Sequence, residues 1–190
     1  MSTLKKINAW ALGALFVLAA FGSQVKAATS DTIDIHVSIT GNKSVTITGT
    51  TYYDFGALAV NSSSVSATAI TVTNNSTVFI ETYTVTGADA ISDTGGTNWA
   101  LEAASGADDY ALAAQFSTAP PADDDGAWAA DSLSTGASTC SATAHGNGTE
   151  GEGGSNVEIS GARSLWFRIK TPTSVTDSSQ HNITNTVSVL

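Results

Sequence analysis

Cysteine is almost missing: Cys140 is the only one in 190 residues. One thiol cannot close an internal disulfide, so the fold must stand on its apolar core. Cys140 is expected to be a small, buried or semi-buried residue. Basic side chains are also scarce, seven Lys and Arg against 17 Asp and Glu. Such a surface repels nucleic acid and anionic lipid headgroups, which excludes both as partners. No H-x3-H or C-x2-C pair, no Gly-x-Ser-x-Gly elbow and no Gly-rich phosphate loop occurs in the chain, so zinc, nucleophile-elbow and nucleotide chemistry have no motif to stand on. No amphipathic stretch of a dozen residues separates the apolar segments, which argues against a parallel α/β fold.

What is present begins at the N-terminus. Lys5 and Lys6 precede an uncharged, almost wholly apolar run from Ile7 to Phe21, followed by Gly22-Ser23-Gln24 and Val25-Lys26-Ala27. A basic start, an apolar middle and small residues at minus three and minus one form the order of a secretory signal peptide. Cleavage is expected between Ala27 and Ala28, and the protein is expected outside the cytoplasm, in a periplasm, at a cell surface or in the medium. The apolar run covers about 15 residues, short of the ~20 that span a bilayer. No second such run follows, so no membrane insertion is expected of the processed chain. Removing residues 1–27 leaves four basic side chains, Lys43, Arg163, Arg168 and Lys170, against all 17 acidic ones, a net charge of about −13.

Residues 28–190 are rich in Thr, Ser, Val, Ala and Gly, which suits strands and turns rather than long helices. Period-two alternation recurs. Ile33, Ile35, Val37 and Ile39 alternate with polar residues, as do Val45 and Ile47, Ile70 and Val72, Leu165, Phe167 and Ile169, and finally Ile183, Val187 and Val189. Val78 to Val85 belongs with these runs, and weaker strands are expected near 99–103, 110–116, 138–144 and 157–159. Turn signals such as Gly41-Asn42, Asn74-Asn75 and Thr171-Pro172 separate them. Nine to eleven short strands predict an all-β fold, a two-sheet antiparallel sandwich of the immunoglobulin or jelly-roll kind in one domain over residues 28–190. A barrel is the alternative. The segment from about 87 to 156 carries no Lys or Arg and reads as strands bearing long acidic loops. Its Gly146–Gly154 stretch reads as a flexible tip with nothing able to pack.

The run Ile70–Val85, ITVTNNSTVFIETYTV, resembles a hairpin common in exported immunoglobulin-like sandwich proteins: an alternating strand, an Asn-rich turn and a Tyr-bearing return strand. The closing run from Leu165 to Val189 resembles the end of such a domain. The resemblance implies a sandwich fold and a surface, adhesive or filament-forming role.

Three sets of residues are candidates for function. Asp108, Asp109, Asp123, Asp124, Asp125 and Asp131 could converge from neighbouring loops on Ca²⁺, which takes six to eight oxygen ligands; the alternative is that they face water. Trp99, Trp128 and Trp166 could stack on a sugar, although a Trp in a sandwich more often packs in the core. Trp166 is out of phase with Leu165, Phe167 and Ile169, so it points to the other face of its sheet, exposed or packed under a loop. The terminal alternating strands could add to a neighbour's sheet edge and let the protein self-associate, or simply complete their own fold. His36, His145 and His181 lie far apart and read as solvated. The expected function is therefore non-enzymatic, a structural or adhesive surface component or filament subunit. The alternatives are a secreted carbohydrate- or Ca²⁺-dependent binding module and a hydrolase with a dispersed site.

Overall fold

The structure, a computed structural model, describes residues 35–149 and 151–190. The expected signal peptide and the Ala27–Ala28 cleavage site lie outside the described residues. Residues Thr40–Leu190 form one compact unit. All regular elements among the described residues are strands. They are β1 (Val45–Thr48), β2 (Ser63–Val65), β3 (Ile70–Asn74), β4 (Tyr83–Thr86), β5 (Ile91–Ser92), β6 (Ala100–Leu101), β7 (Asp109–Phe116), β8 (Ser138–Thr139), β9 (Ala162–Lys170), β10 (His181–Asn182) and β11 (Thr186–Val189).

The longest strand, β9, organises a six-stranded sheet of order β1-β3-β9-β7-β6. On one side β9 pairs with β3, Leu165 opposite Ile70, and further along with β2, Lys170 opposite Ser63. On the other side it runs antiparallel to β7 from Ala111 opposite Lys170 to Phe116 opposite Leu165. A three-stranded sheet, β11-β4-β8, and the short β10-β5 pair complete the fold. One pair departs from the antiparallel expectation: β6 and β7 run parallel, Leu101 opposite Tyr110. The connecting loop turns back at Asp108, whose φ is +54°, and Ala100 N–H donates to the Asp108 carbonyl at 2.9 Å.

Alternation places the apolar residues of β3 and β4 on one face, and that face is buried. Val72, Tyr83, Val85, Leu112, Phe116, Leu165 and Ile169 belong to one apolar cluster fed by the six-stranded and the three-stranded sheets. Each such side chain contributes roughly 1.5–3 kcal/mol on burial. Cys140 joins this cluster as expected, and burial pushes its thiol up to about 12, with the nearby Asp131 acting in the same direction.

β7 and β9 are buried on both faces for part of their length. The second face carries a smaller cluster, in which Trp166 meets Ala113 and Trp128. The expectation that Trp166 leaves the main core therefore holds, and what covers it is the segment after β7.

Three further expectations fail. Residues 35–39 form no strand. Val78 and Ile80 are exposed and stand outside β4. There the buried Asn74 takes over the local backbone: its Nδ2 donates to the carbonyls of Phe79 and Val157 at 2.9 and 2.8 Å, and its Oδ1 accepts from Ser76 N–H at 2.8 Å. The Phe79 carbonyl is then spent on a side chain instead of a ladder. Finally, the Gly-rich stretch packs. Gly146, Gly153 and Gly154 are buried. A Cβ on Gly154 would stand 2.7 Å from Phe116 Cε2 and 2.9 Å from Cys140 Cβ. Glycine is needed there because the backbone lies directly against the core.

Candidate functional site

The six aspartates do not converge on one point; only Asp123 and Asp125 share a partner, Arg168. Asp123 and Asp125 reach over β9, where Arg168 and Lys170 share the face of Trp166 because strand side chains alternate. Arg168 Nε donates to Asp123 Oδ1 at 2.6 Å and its Nη1 to Asp125 Oδ1 at 2.8 Å, while Lys170 Nζ lies 2.6 Å from the same Asp125 oxygen. Asp123 Oδ2 also accepts from Ser63 Oγ at 3.0 Å. Lys170 first and Arg168 second hold the Asp125 carboxyl below its ordinary range. Asp124 caps its own turn, accepting from Ala127 N–H at 2.8 Å. These bonds pin the loop after β7 onto β9, with Trp128 and Trp166 beneath it. Both indoles are satisfied by carbonyls, Trp128 Nε1 donating to Ala122 at 2.7 Å and Trp166 Nε1 to Ser117 at 2.9 Å.

Asp131 behaves in the opposite way. It is buried, and loss of water raises its carboxyl above the ordinary value. Its Oδ2 accepts from Gln115 Nε2 at 2.6 Å, whereas Oδ1 has no partner among the described residues. His145, expected to be solvated, is buried beside it, with Nδ1 donating to the Ala114 carbonyl at 2.9 Å. Asp108 accepts from the backbone N–H of Thr176 at 2.6 Å and from the Thr176 hydroxyl, which lowers its carboxyl. Asp109 sits in β7 opposite Ala100. Among the described residues, no group of three or more His, Cys, Asp or Glu could hold a metal ion.

The tryptophans are likewise divided. Trp128 and Trp166 share one small cluster, and Trp99 packs at the margin of the main core. Trp99 stacks on His181, ring centroids 3.9 Å apart and planes 17° from parallel. His181, read from the sequence as solvated, is half-buried in this stack; the sequence reading missed the complement between the acidic loop and the Arg168–Lys170 face. The only signal for that complement was two bases at spacing two on a strand.

Among the described residues, several large apolar side chains are exposed. Ile35, Val37 and Ile39 are 83, 85 and 78% exposed. Along the margin of the main core, Val45 on β1 and Val187 and Val189 on β11 are half-buried, and Ile47 is exposed. β1 and β11 are the outer strands of their sheets. No helix among the described residues is long and apolar enough to cross a membrane. Comparison with family models, curated proteins and solved structures gives no match.

Proposed function

We propose that this chain is an exported, non-enzymatic structural subunit of a surface assembly. Its body is a two-sheet antiparallel sandwich, and its N-terminal segment pairs with the sheet edge of a neighbouring copy. The observation that carries the reading is the exposed row Ile35, Val37 and Ile39. A period-two apolar row presents one water-averse face and a full set of backbone donors and acceptors, and an added strand satisfies both at once. Ile33 extends the row in the sequence. The acceptor is an edge such as β1 or β11, whose inward residues Val45, Val187 and Val189 are only partly covered. A strand passed from each copy to the next generates an open filament. Export rests on the leader-like residues 1–27.

The test compares residues 28–190 with residues 40–190 by sedimentation and electron microscopy. The longer chain should associate as its concentration rises. The shorter one should keep the same strand-type circular dichroism and stay monomeric. A longer chain that stays monomeric at high concentration, or a shorter one that associates equally well, overturns the reading. Recovery of exported protein that still carries residues 1–27 overturns the cleavage.

A further inference from the structure

The shortest sheet, β5 with β10, has two residue pairs, His181 opposite Ser92 and Asn182 opposite Ile91. Two backbone pairs alone do not hold a sheet in water, so side chains must close this end. Ser92 does part of this. Its N–H donates to Asn98 Oδ1 at 3.0 Å, and its hydroxyl donates to Asp177 Oδ2 at 2.7 Å while accepting from Gly96 N–H at 3.1 Å.

His181 does the rest. Its Nδ1 lies 2.9 Å from the Ser179 carbonyl oxygen and its Nε2 lies 2.9 Å from the Thr97 carbonyl oxygen. A carbonyl oxygen only accepts, so each contact needs an N–H on the imidazole side. Neutral imidazole has one N–H and the protonated ring has two. One face of the ring rests on Trp99 at 3.9 Å, a position that favours a cation, because the indole face is electron-rich. The charged groups near the ring are acidic and come from two loops. They are Asp108, before β7, and Asp177, between β9 and β10; both carboxyls are lowered chiefly by hydrogen bonds, from Thr176 and Ser179 respectively. On the β5 side Asp93 follows Ser92, its N–H donating to the Gln180 carbonyl at 3.0 Å.

We infer that His181 is a proton-dependent clasp: with both ring nitrogens protonated, it ties the 95–98 loop, through the Thr97 carbonyl, to β10 and the 177–180 turn. When one proton leaves, a ring lone pair faces a carbonyl lone pair, and one of the two ties is lost. The clasp is closed in acid and opens as the pH rises and the ring gives up its second proton. An exported protein meets whatever pH lies outside the cell, so this end of the fold carries a sensor for it. The inference does not depend on self-association.

Hydrogen exchange and Trp fluorescence of residues 28–190 and of its His181→Gln form test it between pH 5 and pH 8. In the unaltered chain, protection of the Gly96 and Trp99 amides, corrected for intrinsic exchange, should fall several-fold at pH 8. A fluorescence change from Trp99 should accompany it, and Trp99→Phe should remove that change. Gln cannot gain a proton, so both pH dependences should vanish in His181→Gln. Equal protection at the two pH values, or a dependence that survives in His181→Gln, overturns the clasp. If the variant fails to fold, nitrogen NMR of the unaltered His181 decides. Two hydrogen-bonded ring N–H groups in acid, falling to one at pH 8, uphold the clasp; one throughout overturns it.

Discussion

Strand β3 and the segment 35–39 share one sequence pattern and meet opposite fates. In β3, Ile70 and Val72 alternate with threonines and are buried. In the segment, Ile35, Val37 and Ile39 alternate with His36 and Ser38 and remain open to water. β3 lies between β1 and β9, so its backbone is paired on both sides. Period two therefore states which side chains share a face; it does not state that a partner exists within the same chain. Among the described residues the row at 35–39 pairs with no strand, and a second copy is the occupant proposed here.

The largest test of this contrast removes apolar groups from both regions. Leu165→Ala takes a fully buried side chain from the centre of β9 and should cost about 2–5 kcal/mol in denaturant unfolding. Val37→Ser should leave monomer stability within about 0.5 kcal/mol while weakening association. A large loss of monomer stability in Val37→Ser would mean that the segment completes its own fold. Next comes Gly154→Ala. A Cβ there meets Phe116 and Cys140 at under 3 Å, so overpacking should cost about 1–3 kcal/mol. A loose glycine-rich tip would show no change.

The smallest effect concerns acid. Hydrogen bonds from the side chain and backbone of Ser179, then from Ser92, hold Asp177 at about 2 against an ordinary 3.8. A lowered carboxyl adds stability above its unfolded value and loses it as pH falls toward the folded one. Melting of Asp177→Asn against the unaltered chain should therefore show the largest deficit above pH ~4, shrinking toward pH ~2. A deficit that is constant with pH would mean that the substitution acts by shape alone. The exposed segment 35–39 contains no carboxylate, so this dependence should also appear in residues 40–190.

The strands with strong alternation, β3, β9 and β11, were legible in the sequence, because burial against a sheet imposes period two on the chain itself. So was the turning of Trp166 away from the main core. Its cover was not legible. The 117–133 loop that lies over it is rich in Ala and Asp and has no period, and its attachment depends on Arg168 and Lys170, which are distant in sequence. The glycines of 146–154 were read as loose because closeness to Phe116 is a tertiary fact that leaves no local mark. The six aspartates looked alike in sequence. Burial raises Asp131 and bases lower Asp125, so environment alone separates them. The His181–Trp99 stack joins two residues whose sequence contexts give no hint of each other.

Hydrogen exchange on residues 28–190, measured in dilute and in concentrated solution, tests the central claim most directly. Amides of 35–39 should exchange freely when dilute and gain protection as concentration rises, while those of β3, β7 and β9 stay protected throughout. Protection of 35–39 in dilute solution, or none at any concentration, would contradict the account.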